Sequence, residues 1–312
     1  MNPLIPSGAR AEFIDLDGGR VRVLRGGAAG TGPPVVLLHG GATDNAAISW
    51  YRLFAPLGAD HHVIAPDMPG FGATSGIDPV GGPGALADFA ARVMGELGLA
   101  EAVVIGVSMG GDVALNLALR HPRLVRALVL IAPGGLVPLV GNRAVHTAAW
   151  LGTRLPDWML LPAARLANRF VGTALRAVVH DIATLPEEVV AEFRREALRP
   201  GAAIGYIRYN QATVGRRGMR NNLLPVVEQI TVPALFFHGE LDPLVPVEGS
   251  RTAAALMPSA RLAMVAECGH WAQLEAHDRF VSEVTAFLAG LGERPARPAE
   301  RPGDSGEDLE GP

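Results

Sequence analysis

Cysteine is all but absent from this 312-residue chain: Cys268 stands alone. One cysteine excludes an intramolecular disulfide and a cysteine-based metal cluster. It suits a reducing cytoplasm, where the protein is expected to work. Charge is sparse too. Charged residues make up 19%, the net charge is −4 and the pI is about 6.1. No basic patch stands out, so no nucleic-acid partner is expected. Long hydrophobic runs are lacking as well. The uncharged stretch from Ala127 to Asn142 is broken by Pro133, Gly134, Gly135 and Pro138, and is too short to span a bilayer. Met1 to Arg10 has no basic start followed by an apolar run, so no signal peptide is expected. There is no internal repeat.

What remains is a composition with ample apolar material. Hydrophobic residues make up 49%, which fits a soluble globular protein and argues against disorder. The length suits one large domain or two ordinary ones. Gly (38) and Pro (25) are scattered along the chain, as turn and loop residues are. The segment from Glu293 to Pro312 is the exception. It is rich in Pro, Gly, Glu and Asp, and is expected to be a disordered tail.

The hydrophobic pattern alternates between two periods. Ala11–Leu16 and Arg20–Arg25 flank Asp17-Gly18-Gly19 and predict a β-hairpin. Short apolar runs predict strands at Val35–Leu38, Val63–Ala65, Val103–Val107, Leu128–Ile131, Ala234–Phe237 and Leu262–Val265. Helical spacing is expected over Asn45–Leu57, Gly84–Leu97, Gly110–Arg120, Ser250–Met257 and Phe280–Leu291. Continuous apolar strands separated by helices imply an α/β protein with a mostly parallel, doubly wound sheet. Residues 136–222 carry no β run. Trp150, Trp158, Tyr206 and Tyr209 lie there among many Ala, Leu and Arg residues. This stretch is expected to form a helical cap inserted between core segments 1–135 and 223–292. An insertion between strand ends falls where open α/β sheets build their sites.

Gly106-Val107-Ser108-Met109-Gly110 matches G-x-S-x-G. With eight serines and 38 glycines, roughly 0.1 chance matches are expected, so the context decides. Here a strand runs directly into Ser108 and a helix starts at once. Such a turn lifts the serine oxygen above the sheet, and the glycines let the backbone pass closely. A serine hydroxyl needs a base. On this arrangement acid and base follow the serine in chain order. Asp242 lies in the loop after Ala234–Phe237, and His270 in the loop after Leu262–Val265. Ser108, Asp242 and His270 are therefore the expected catalytic residues. Glu240 is the rival acid, disfavoured by position and by Pro243. His238 and Cys268 have simpler structural readings, as do the other histidines. His39-Gly40-Gly41-Ala42 follows a strand and can bring a backbone N–H to a substrate carbonyl. The expected oxyanion hole is the N–H groups of Gly41 and Met109, with Ala42 as an alternative donor, and Gly40, Ala42 and Val107 are expected against the substrate. Asp67-Met68-Pro69-Gly70-Phe71-Gly72 reads as a turn bracing its neighbours.

With these motifs together, the chain resembles the α/β-hydrolase superfamily from about Glu12 to Leu291. The likeness rests on His39-Gly40-Gly41, Asp67-x-Pro-Gly-Phe-Gly72, Gly106-x-Ser-x-Gly-Gly111, Gly239-x-x-Asp242 and Gly269-His270. A narrower resemblance is carried by Ser108-Met109-Gly110-Gly111, Ala132-Pro133-Gly134-Gly135 and Cys268-Gly269-His270-Trp271-Ala272-Gln273. These look like the meta-cleavage-product hydrolases, which split a carbon–carbon bond in vinylogous 1,5-diketones. That resemblance implies substrate packing by Trp271 and a cap arginine, for which Arg194 and Arg195 are the candidates. The family commonly has Asn before the nucleophile, where this chain has Val107.

The expectation is a serine hydrolase acting on a small hydrophobic substrate, with carboxylic-ester hydrolysis ranked ahead of carbon–carbon bond hydrolysis. An acyltransferase or perhydrolase would use the same residues, and a binding protein of this fold would keep the pocket without turnover. No metal or organic cofactor is implied. A cap with exposed apolar faces could pair two copies as a homodimer.

Overall fold

Asp17 and Gly18 both take positive φ, 53° and 78°, and turn β1 (Ala9–Leu16) back along β2 (Gly19–Gly26). Two such residues in succession match the twist of a tight antiparallel hairpin. This is a computed structural model, and it describes residues 3–27, 32–79 and 81–292. The tail expected over 293–312 lies outside the described residues.

Six further strands follow: β3 (Val35–Leu38), β4 (Val63–Pro66), β5 (Ala102–Val107), β6 (Val125–Ile131), β7 (Ala234–Gly239) and β8 (Ala260–Val265). They form one eight-stranded sheet in the order β1-β2-β4-β3-β5-β6-β7-β8. Only β1–β2 and β2–β4 pair antiparallel; every pairing from β4 to β8 is parallel. Strand side chains feed two apolar layers alternately. Val35, Leu37, Ile105, Val107 and Phe237 enter one, and Val36, Leu38, Val104 and Phe236 the other. That double burial explains why the strands read as unbroken apolar runs.

Helices cover both faces. The first layer is closed by α1 (Ala46–Ser49), α2 (Phe54–Leu57), α11 (Ala272–Glu275) and α12 (His277–Ala289). The second is closed by α3 (Pro83–Glu96), α4 (Met109–Arg120) and α10 (Val247–Leu256). The single helix expected over Asn45–Leu57 is two short ones. Asn45 caps α1 by accepting from the Ile48 N–H. A continuous helix would then set Pro56, which has no N–H, against the carbonyl of Arg52. Between β6 and β7 lie α5 (Arg143–Thr153), α6 (Asp157–Asn168), α7 (Val171–Val178), α8 (Glu187–Ala197) and α9 (Ile204–Thr213). Leu175, Val179, Leu185, Val189 and Phe193 of this stretch join the first apolar layer. Among the described residues no helix is long and apolar enough to cross a membrane.

Candidate active site

Ser108 sits between β5 and α4 with φ 54° and ψ −116°. A non-glycine residue in that region is strained, and such strain persists only where the surroundings enforce it. Here they do. The Ser108 N–H is donated to the Ile131 carbonyl at 2.9 Å, and the Ser108 carbonyl accepts from Gly111, Asp112 and Gly134 N–H groups. The flanking glycines are required by close approach. A Cβ on Gly106 would lie 2.3 Å from the Gly110 oxygen, and one on Gly110 only 2.0 Å from the Leu38 oxygen.

Asp242 and His270 come together at the ends of β7 and β8. His270 Nδ1 lies 2.7 Å from Asp242 Oδ2, with both side chains almost fully buried. Asp242 Oδ1 accepts from the Leu244 and Val245 N–H groups at 2.8 and 3.0 Å, which fixes the carboxylate. The carboxylate fixes the ring: Nδ1 must carry the proton facing it, so Nε2 is left as the basic nitrogen. Burial opposes ionisation of Asp242. The hydrogen bonds from His238 and His270 outweigh it and hold the carboxyl well below the ordinary carboxylate range. The His270 N–H is donated to the Val178 carbonyl at 3.0 Å, so the end of α7 positions this loop. Glu240, the rival acid, is exposed.

His238 is more closely tied to the site than its sequence position suggests. Its Nε2 lies 3.2 Å from both Asp242 Oδ2 and the Val245 carbonyl, and its Nδ1 lies 2.8 Å from Ser250 Oγ. Both partners of Nε2 are acceptors, so Nε2 donates and Nδ1 accepts from the Ser250 hydroxyl. Cys268 is buried, and burial pushes its thiol up to about 12. A thiol held protonated is a poor nucleophile.

The loop after β3 lies beside the serine. A Cβ on Gly40 would touch Ser108 Cβ at 3.7 Å. The Gly40 N–H is taken by Asp44 Oδ2 at 3.0 Å, so it is not free for a substrate. Among the described residues the N–H groups of Gly41 and Met109 have no acceptor. His39 accepts the Met68 N–H at Nε2 and donates from Nδ1 to the Gly40 carbonyl, which locks the loop. Asp67 braces the neighbouring turn through Arg22 and the Ala46 and Ala73 N–H groups.

The walls near His270 are apolar. Trp271 packs edge-on against His270 with centroids 5.4 Å apart and against Phe193 of α8 at 5.1 Å. Val107 belongs to the same buried layer as Trp271 and Phe193. The α8 arginines go elsewhere. Arg195 is bound by Glu192 and Glu196, and Arg194 lines a surface cleft with Arg169 and Arg176.

Two features escaped the sequence. Tyr206 of α9 lies over Gly41: a Cβ there would meet its ring at 2.5 Å. Tyr209, stacked on Tyr206 with centroids 6.0 Å apart, donates its hydroxyl to Asp112 Oδ2 at 2.6 Å. Asp112 is fully buried in the first turn of α4. Burial raises its pKa to about 7, against hydrogen bonds from Tyr209, Asn221 and Asn116. The signals were a lone carboxylate on an otherwise apolar helix face and two tyrosines three residues apart. A larger cavity of about 650 Å³ lies near Arg126, Pro233 and Arg261, at the opposite ends of the strands from Ser108. Parallel sheets build their sites at carboxyl ends, which sets it apart from this chemistry.

Comparison with known proteins agrees with this architecture. The family of the α/β hydrolase fold matches residues 33–277. A 2-hydroxymuconate semialdehyde hydrolase of Pseudomonas putida is 32% identical over 278 residues, covering 83% of this chain and 88% of that protein. A 2-hydroxy-6-oxononadienedioate/2-hydroxy-6-oxononatrienedioate hydrolase of a Pseudomonas species is 30% identical over 291 residues, covering 91% and 99%. Among solved structures, the 2-hydroxy-6-oxo-6-phenylhexa-2,4-dienoate hydrolase of Rhodococcus sp. strain RHA1 superposes with a TM-score of 0.70 at 23% identity, over 90% of this chain and 99% of that one. The chain belongs to the α/β-hydrolase-fold family and is a hydrolase.

Proposed function

We propose that the protein is a serine hydrolase that cleaves an uncharged carboxylic ester, with Ser108 as nucleophile, His270 as base and Asp242 as the residue that orients the base. The 2.7 Å contact between His270 and the buried Asp242 carries this reading. It leaves His270 Nε2 to take the proton of the Ser108 hydroxyl as the oxygen attacks the acyl carbon. The N–H groups of Gly41 and Met109 receive the oxyanion, each worth about 3 kcal/mol in the transition state. The proton passes from His270 to the leaving alkoxide as the carbon–oxygen bond breaks. Water then gives a proton to His270 as its oxygen bonds to the acyl carbon, and the bond to Ser108 breaks as His270 returns that proton to the Ser108 oxygen, releasing the acid. Residues 136–222 act as the cap, and Trp271, Val107 and Ala42 face the substrate; Gly40 contributes space rather than its N–H.

The apolar surroundings support the ester. Among the described residues neither α8 arginine pairs with a site residue, and Trp271 packs on the apolar Phe193. Carbon–carbon bond hydrolysis is the second reading, favoured by the relatives at 30–32% identity. It would need a ketonisation step before the same attack.

Short and medium acyl p-nitrophenyl esters and a 2-hydroxy-6-oxo-dienoate should be tested side by side. Ester turnover is expected, and Ser108→Ala should lower kcat by about 10⁴-fold or more. Full turnover in the mutant would remove Ser108 from the mechanism. Rapid cleavage of the dienoate with slow ester turnover would establish the second reading.

A further inference from the structure

Helix α6 reads Asp-Trp-Met-Leu-Leu-Pro-Ala-Ala-Arg-Leu-Ala-Asn, yet none of its twelve residues is buried. Trp158 is 75% exposed, Leu166 58%, and Phe170, just past the helix, 63%. Leu151, Leu155 and Met159 of the same α5–α6 stretch are 54%, 41% and 41% exposed. Large apolar side chains exposed together in one short stretch mark an interaction surface.

The charge around them has one sign. Arg143, Arg154, Arg165, Arg169 and Arg176 are all exposed. The only acid between residues 136 and 180 is Asp157, which is bound by Arg208. Residues 136–180 therefore carry a net +4 in a chain whose overall charge is −4. All 27 basic residues in the chain are arginine, the side chain best shaped to grip phosphate oxygens. Beside Phe170 lies a cleft of about 300 Å³ lined by Arg169, Arg176 and Arg194. None of the three has a carboxylate partner among the described residues. The first turn of α7, Val171 to Thr173, lines the same cleft and adds the positive end of a helix dipole.

We propose that the α5–α7 face docks on an anionic lipid bilayer, with Trp158, Leu166 and Phe170 in the apolar boundary and a lipid phosphate in the Arg169–Arg176–Arg194 cleft. Apolar side chains rimmed by arginine are the composition of an interfacial helix. A second copy fits less well. Twofold pairing through this face would set five exposed arginines against the same five, with one already neutralised aspartate on each side. The inference does not depend on which bond the active site cleaves.

Co-sedimentation of the full chain with vesicles tests it. Protein should pellet with phosphatidylcholine vesicles containing a third phosphatidylglycerol, stay in solution with phosphatidylcholine alone, and be released by high salt. Arg169→Glu with Arg176→Glu should weaken binding about tenfold or more. Trp158→Ser with Phe170→Ser should weaken it similarly. Circular dichroism and the thermal midpoint should stay near wild type, since all four positions are exposed. No binding to anionic vesicles, or undiminished binding by the charge-reversed variant, overturns the proposal. A dimer in analytical ultracentrifugation that Trp158→Ser dissolves also overturns it and assigns the face to a second copy.

Discussion

Asp112 follows the G-x-S-x-G-G run directly and is the one carboxylate in α4, held beneath Ser108 by its own N–H to the Ser108 carbonyl. Asn221 Oδ1 has no partner, while the other end of that amide lies 2.5 Å from Asp112 Oδ2. The hydrogen bonds from Tyr209, Asn221 and Asn116 favour the anion, and burial outweighs them. Its pKa of about 7 stands against an ordinary 3.8. Between those values the unfolded chain releases a proton that the native protein keeps. Stability from this group is therefore full below about pH 4 and is lost as pH rises to about 7, by up to about 4 kcal/mol. Asp112→Asn cannot titrate. Urea unfolding at about pH 4 and pH 8 should show the mutant gaining on wild type by a few kcal/mol across that interval. Parallel pH profiles would mean that Asp112 is ionised in the native state. None of this was legible in the sequence, because Asp112 and Tyr209 stand 97 positions apart and only the fold brings them together.

Helix α9 turns that residue into an element-scale contact. Tyr209 anchors the helix to α4, and its stacked neighbour Tyr206 is thereby set over Gly41. Tyr209→Phe removes a buried donor from Asp112 and should lower the unfolding free energy by about 1–3 kcal/mol. Tyr206→Ala should instead open space above the Gly41 loop. If esters are the substrates, kcat/KM for a bulky acyl group relative to a short one should rise about tenfold. An unchanged ratio would place Tyr206 outside the substrate path. The strands and the serine turn were readable because burial on both faces writes unbroken apolar runs, and because Gly106 and Gly110 admit no Cβ. The stretch Asn45–Leu57 was misread as one helix, since apolar spacing does not register that Pro56 has no N–H to bond the Arg52 carbonyl; the chain instead breaks between Trp50 and Leu53. The sheet order was not readable either: β4 inserts between β2 and β3, and local pattern carries no pairing information.

At the scale of the whole molecule, the helical stretch between β6 and β7 is unevenly attached. Its second half is continuous with the core. Leu175, Val189 and Phe193 pack in the same apolar layer as Val107, Phe237 and Phe280, and α8 closes on Trp271. Its first half contributes little: α6 buries nothing, and α5 buries only His146, which is tied to the Gly215 carbonyl. Cooperative unfolding follows shared burial, so α7 and α8 should open with the sheet, whereas α6 should open locally at far lower free energy. Hydrogen exchange read by mass spectrometry should find peptides covering 157–168 exchanging well before those covering 187–197. Phe193→Ala, which empties a buried aromatic site, should lower global stability by about 3–5 kcal/mol and speed exchange in α8 and β7 together. Equal protection of α6 and α8 would contradict this division. Equally slow exchange restored to α6 only by anionic vesicles would instead show that its missing burial is supplied by the bilayer.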